Sequence, residues 1–430
     1  MDYSKLYPIL AFSAHGALGK WWIHKQYGMT KVVCKYAYPY NPKTELQQAN
    51  RLLMYNAVKN WQGFADPIKN YYNTNFRNIH MSGYNRYISM YLLAEPSDWY
   101  NPAWLYRTKI TIDNTKVDAD LDNFPVYVDL SDLPSQFHDN VKADGADIRV
   151  TKSDGITEVP REVVFYDQAT DTGELHFKGD LINDTDTSFY IYYGNSSATE
   201  PDIDSDYGAE NVWTEYEAVW HLQDSMLDST SNSNDLTDGG TSDTDSGKMG
   251  KARSFSSDYL KTTNNLDLSD TQKVSVSYWL NKTATTGVQV IYEFSPNYNS
   301  YTDTFISYTD GTQNDICNKG NSGYNMARTS IPTANVFHYA VDTYDFSAVK
   351  ALEVLSYLDG SIVSYTKPYT GENTGYFGDR QFFIGMRNGT SYPTNGVYDE
   401  FRIAKSVISA DWVSTEHNNQ SSPSTFYDVI

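Results

Sequence analysis

Acidic and amide side chains are the residues of this 430-residue chain best placed to do chemistry. Asp224, Asp228, Asn232, Asn234 and Asp235 crowd one loop with oxygen donors and no interleaved lysine or arginine. A hard Ca2+ ion gathers roughly six to eight such oxygens, which makes this loop a candidate calcium site. The competing reading is a solvated turn held by Asx hydrogen bonds. A second acidic run, Asp202-x-Asp204-x-Asp206, imitates the opening of an EF-hand loop. Its glycine, Gly208, comes one position late, and Trp213 stands where the closing glutamate belongs. It reads as a linker.

Glycoside hydrolysis needs two carboxylates flanking one bond, and alternate residues of a strand supply them because they face the same way. The nearest pair here, Asp399-Glu400, is adjacent and is expected to point to opposite faces. The chain contains no Gly-x-Ser-x-Gly, no His-Glu-x-x-His and no lysine-bearing phosphate loop. Its eight histidines show no ligand spacing. The expectation is a protein that is not an enzyme.

Thirty-seven tyrosines suit sugar recognition, where rings stack on sugar faces, and suit plain β structure as well. In the run Val274 to Leu280, alternation sends Val274, Val276 and Leu280 to the core and Trp279 to the other face with Ser275 and Ser277. Trp279 is therefore a candidate floor for a ligand groove. Tyr392, in the loop Arg387 to Thr394, is its partner candidate.

These residues must be positioned by β structure. Alternating runs begin near Trp99 (Thr108–Ile112, Phe124–Leu130, Ile148–Val150, Ser188–Tyr193) and continue from Val212 to Glu416. Short strands at this spacing imply antiparallel sandwiches. A polar acidic stretch separates the two regions. The expected boundaries are a segment at 1–98, a sandwich at 99–200, a linker at 201–210, a jelly roll at 211–419 and a tail at 420–430. The first segment differs. An arm containing Trp21 and Trp22 leads to the capping box Thr44-x-x-Gln47 and a helix striped by Leu46, Ala49, Leu53, Ala57 and Trp61. Asp66-Pro67 opens a second helix and Ser82 a third. So thin a core suggests completion by a partner surface.

Charge divides the chain at the same place. Residues 1–100 hold 11 Lys/Arg against 5 Asp/Glu (net +6), and residues 101–430 hold 22 against 49 (net −27). The acidic part should repel nucleic acid, while the basic part suits an acidic partner. Two widely separated cysteines rule out a disulfide framework. No apolar run reaches the ~20 residues that span a bilayer, and the first residues make a poor secretory signal.

Three stretches resemble known families. WLYRTKITIDNTKV, DNFPVYVDLSD, DGADIRVTKSDG and FYIYYGNSSAT, within 104–199, resemble the domain of unknown function that often precedes laminin-G-like domains in bacterial, archaeal and phage surface proteins. AVWHLQDSMLDSTSNSND, GKARSFSSDYLKT, VSVSYWLN, FHYAVDTYD, YLDGSIV, FFIG and GVYDEFRIAKSVIS, within 218–416, resemble the concanavalin A-like lectin/glucanase fold in its laminin-G-like form. That resemblance implies a jelly roll, a glycan- or protein-binding rim, and calcium held near Asp228 and Asp399. With the loop residues, the expected metal set is Asp228, Asp399, Asp224 and Asn234. The first hundred residues are similar to a module of virion-associated proteins of tailed phages, through Pro42-Lys-Thr-x-x-Gln-Gln-x-x-Arg51, Trp61 and Gly83-Tyr84-Asn85.

The chain is thus expected to be mainly β: two antiparallel β-sandwich (jelly-roll) domains behind a small arm-plus-helices segment. Its expected role is a non-enzymatic decoration protein on the surface of a virus particle, a tailed phage, made in the host cytoplasm. Trp21, Trp22, Arg51 and Trp61 would anchor it to other virion proteins in many copies. The outer sandwich would bind neutral glycans or a host surface, with Ca2+ as the candidate cofactor and neither nucleic acid nor membrane insertion involved. The alternative is a prokaryotic cell-surface adhesin, and a carbohydrate-active enzyme ranks below both.

Overall fold

A computed structural model describes residues 16–18, 22–27, 30–35, 45–75, 81–93 and 99–430, apart from 245, 284 and 285. The chain forms two compact units, Met1–Ala94 and Glu95–Ile430.

Among the described residues, the first unit has an antiparallel ribbon (Gly16–Leu18, Trp22–Tyr27, Thr30–Lys35) and three helices, Glu45–Gly63, Asp66–Asn75 and Gly83–Leu93. The third helix starts where the sequence signals it: the Ser82 hydroxyl accepts the amide of Asn85 at 3.1 Å. Thr44 and Trp21 lie outside the described residues, as does the side chain of Trp22. The Trp61 ring, partly buried, meets Phe64, Tyr72, Tyr84 and Tyr87 at 5.6–6.1 Å between centroids and so organises an aromatic core. Arg51 stays exposed, with Met54, Tyr55 and Tyr71.

The second unit holds the two antiparallel sandwiches. In the first, the sheet Tyr106–Ile112, Thr187–Tyr193, Arg149–Lys152 and Glu158–Val159 faces Leu121–Asp129, Thr172–Leu181 and Arg161–Asp167. Ile110, Phe124, Val126, Phe177 and Ile191 are fully buried between the sheets. In the second, Lys273–Lys282 sits at the centre of one sheet, between Asn395–Ala404 and His338–Asp345. It faces a sheet built on Gln289–Glu293, Thr304–Thr309 and Asn314–Gly320. Trp220, Phe294, Phe305, Phe382 and Phe401 fill that core.

The expected boundaries fail at two places. The stretch 201–210 is no loose linker: Glu200 forms a bidentate ion pair with buried Arg161, and Arg161 donates its amide to the Tyr207 carbonyl. Nor is 420–430 a tail. Helix Ala410–Ser421, capped by the Ser409 hydroxyl at Trp412 N, leads to strand Tyr427–Val429, which pairs antiparallel with Tyr106–Ile112. Phe426 and Tyr427 thereby join the core of the first sandwich. A third apolar cluster, including Tyr127, Trp213, Tyr216, Trp279, Tyr339 and Val413, draws on both sandwiches and this helix. The two sandwiches are one body.

Candidate functional site

The expected calcium ligands do not converge. Asp228 Oδ1 accepts the amides of Val219 and Thr230 at 2.9 and 3.0 Å, and its Oδ2 accepts Asn234 N and the Thr230 hydroxyl at 2.8 Å each. Its lone pairs are taken up by an Asx-type turn, the competing reading of this loop. Asn234 turns its amide to the Glu217 carbonyl at 2.9 Å, and Asp224 is an exposed partner of Lys251 at 2.8 Å. Asp399 lies buried elsewhere, its Oδ2 accepting the amides of Lys248 and Met249.

The groove reading of Trp279 is also corrected. Alternation holds, since Val274, Val276 and Leu280 face the core and Trp279 the reverse side. That reverse side is covered by the C-terminal helix. Trp279 is 2% exposed and donates its indole N–H to Gln420 Oε1 at 2.7 Å. Tyr392 remains a surface ring, 44% exposed, with the Arg387 guanidinium 5.2 Å from its centroid.

The structure instead assembles a polar cluster that the spacing hid. Strand Arg161–Asp167 contributes Glu162, and strand Thr172–Leu181 contributes Glu174 and His176, two residues apart and so on one face. His221 follows strand Ala218–Trp220, and strand Asn395–Ala404 brings Glu400 and Arg402. His221 Nδ1 lies 2.6 Å from Glu400 Oε1 and 3.4 Å from Glu174 Oε1, and its Nε2 lies 3.2 Å from Glu162 Oε2. His176 Nε2 lies 2.8 Å from Glu174 Oε1. Arg402 bridges Glu400 (2.7 Å) and Glu416 (2.5 Å), and Glu416 accepts the Tyr339 hydroxyl at 2.6 Å.

A β-bulge explains how Glu400 reaches this cluster. Ser277 pairs with Arg402 and Trp279 with Asp399, which places an extra residue in the Asn395–Ala404 strand. Glu400 sits there with φ +50°, in the left-handed region that costs a residue with a Cβ. Tyr398, Phe401 and Ile403 point into the core. Asp399, Glu400 and Arg402 all bond on the opposite side. The expectation that the adjacent acids face opposite ways is overturned by that one residue.

Burial separates the charges. Burial, and then the Glu400 charge, push Glu174 up to about 8. Burial would raise Glu400 too, but His221 and Arg402 overcome it and hold the carboxyl well below its usual range. For His221 burial works against the cation, and the charges of Glu400 and Glu162 prevail, so it titrates well above an ordinary imidazole. Burial keeps His176 neutral. Glu174, His176 and Glu400 are each at 0–1% exposure, while the Glu162 side chain at the margin of the cluster is 14% exposed.

An open cleft of about 480 Å3 lies where 204–217 meets the loop 230–232. Asp204, Glu210, Glu217, Thr230, Asn232 and Lys405 line it, above the buried Trp213 and Tyr216.

Sequence reasoning missed the cluster because its members lie on five separate stretches and meet only when the sandwiches dock. The Glu-x-His pair at 174–176 was the one local signal.

Residues 254–414 match the family described as the concanavalin A-like lectin/glucanases superfamily. No curated protein matches the chain. Similar solved structures include the binding domain of botulinum neurotoxin serotype G, at 14% identity and TM-score 0.39 over 48% of this chain and 51% of that one. Domain 4 of AbnA, a GH43 extracellular arabinanase from Geobacillus stearothermophilus, in complex with arabinotriose, aligns at 17% identity and TM-score 0.35, over 47% of this chain and 98% of that one. The heptameric SAP-like pentraxin of Limulus polyphemus aligns at 10% identity and TM-score 0.29, over 36% and 73% of the two chains. This chain spans about half the length of the neurotoxin structure it matches. At such distances the likeness does not say what the chain binds.

Proposed function

We propose that this chain is a non-enzymatic structural protein of a virus particle, a tailed phage. Residues 1–98 attach it to other virion proteins, and residues 99–430 form a head that recognises a neutral glycan or another host-surface ligand. The observation that carries the reading is the fusion of the two sandwiches. Strand Tyr427–Val429 returns to the first sheet, and the unit Glu95–Ile430 closes around its own apolar clusters, one of which draws on both sandwiches. A rigid acidic head joined to a smaller basic unit separates display from attachment.

Several features support each half. The helices of the first unit expose Met54, Tyr55, Tyr71 and Met90, apolar surface of the kind that partner contacts cover. The head carries net −27 over residues 101–430, a field that repels polyanions and favours uncharged ligands. Glu174, Glu400 and Glu416 are buried between the sandwiches, which argues against hydrolysis. The cleft at 204–232 and the ring of Tyr392 are the surfaces offered to the ligand. Weak single-site affinity becomes useful through many copies on one particle.

Multivalent display of residues 99–430 on a glycan array tests the recognition half. Binding to neutral glycans, lost in Asp204→Ala/Glu210→Ala or in Tyr392→Ala with the fold retained, supports it. An array on which only anionic glycans bind contradicts it.

A further inference from the structure

Four atoms at the junction of the sandwiches converge on one point: Glu174 Oε1, His176 Nε2, His221 Nδ1 and Glu400 Oε1. Among the described residues these side chains place their donor atoms within 4.8 Å of one another, and all four are buried. Three of their separations are 2.6, 2.8 and 3.4 Å. A four-coordinate zinc, with bonds of about 2.0–2.2 Å, holds its donors roughly 3.3–3.5 Å apart. Two of the separations, 2.6 and 2.8 Å, are hydrogen-bond lengths, so the ion would enter by replacing the shared protons and spreading those two pairs by roughly 0.5–0.9 Å.

The atoms facing away from that point are organised as outer partners of a metal site are. Glu174 Oε2 accepts the Gln223 amide, and Glu400 Oε2 accepts Arg402 Nη2 at 2.7 Å. The far nitrogen of His221 faces Glu162 Oε2 at 3.2 Å, a carboxylate–histidine arrangement of the kind that orients metal-bound imidazoles, and an entering metal would take the place of the proton that Nδ1 shares with Glu400. His176 is the exception: the residue is fully buried and only its Nε2 is engaged, its Nδ1 having no hydrogen-bond partner.

We propose that Glu174, His176, His221 and Glu400 form a closed four-donor site for a divalent transition metal of the zinc type, which staples the first sandwich to the second. Two imidazoles among four donors select a borderline ion such as Zn2+ over Ca2+, whose ligands are oxygens. No donor position is left for substrate, so the role is structural.

The test uses the full chain without a histidine tag, produced in zinc-supplemented medium and gel-filtered before metal analysis. About one zinc per chain is expected, and Co2+ loading should give the intense visible absorption of a four-coordinate site. His176→Ala and the near-isosteric Glu174→Gln should each lower zinc affinity by roughly tenfold or more. Glu174→Gln is the second variant because it can keep the fold if His176→Ala does not. Background metal content in zinc-grown protein, together with a melting temperature that added zinc leaves unchanged, overturns the site. So does full zinc occupancy in a folded Glu174→Gln variant whose Co2+ spectrum matches the parent's.

Discussion

Asn419 holds Tyr127 as a neighbouring strand would. Its Oδ1 accepts the Tyr127 amide at 2.7 Å and its Nδ2 donates to the Tyr127 carbonyl at 2.8 Å, across 292 residues of sequence. The C-terminal helix thus satisfies the edge of a strand in the first sandwich while its Gln420 holds Trp279 of the second.

Asn419→Ala should destabilise the Glu95–Ile430 unit by roughly 2–4 kcal/mol, because it leaves a buried N–H and a buried C=O without partners. Urea unfolding of the parent and variant checks this. A change below about 0.5 kcal/mol would mean that water satisfies both groups.

Removing residues 422–430 should cost more. It takes Phe426 and Tyr427, 0% and 3% exposed, out of the first core and bares the edge strand Tyr106–Ile112. A loss of about 3–6 kcal/mol follows from two buried rings at roughly 1.5–3 kcal/mol each. Soluble truncated protein with an unchanged melting temperature would restore the free tail expected from sequence.

Trp279→Ala should act on stability, by roughly 3–5 kcal/mol, since it opens a cavity beneath the helix and orphans Gln420. Retained stability with lost ligand binding would return Trp279 to the groove role.

Asp342 should make stability pH-dependent. Burial lifts its carboxyl from 3.8 to about 6, against hydrogen bonds from Ser356, Tyr292 and Tyr278. A folded-state pKa above the unfolded one means the acid is favoured in the fold below about pH 3.8. That advantage is then lost as pH rises through about 6. The stability of the parent relative to Asp342→Asn should therefore fall by about 3 kcal/mol between pH 3.5 and 8. Urea midpoints across that range check the slope, and a flat difference contradicts it.

The sandwiches were legible in the sequence because alternation is local: Ile110, Ile112, Val274 and Val276 advertise their faces within a few residues. The helices were legible through Ser82 and Asp66-Pro67. What lay hidden is set by docking. Trp279 sits on the non-core face of its sheet, as alternation requires, yet nothing nearby announces the helix that covers it. Asp399-Glu400 followed the rule for regular strands until a bulged residue at φ +50° turned Glu400 to the side of Asp399. Asp228 shows the limit of composition. An acidic loop built to bind a cation and one built to cap its own amides have the same residues.

The division into attaching unit and displayed head is tested most directly by incorporation. Full-length chain and residues 99–430 are each supplied during assembly of the particle, and their copy number in purified particles is measured. The account predicts that the head folds, stays soluble and is absent from particles, while the full chain is incorporated. Heads incorporated at the full chain's copy number would contradict it.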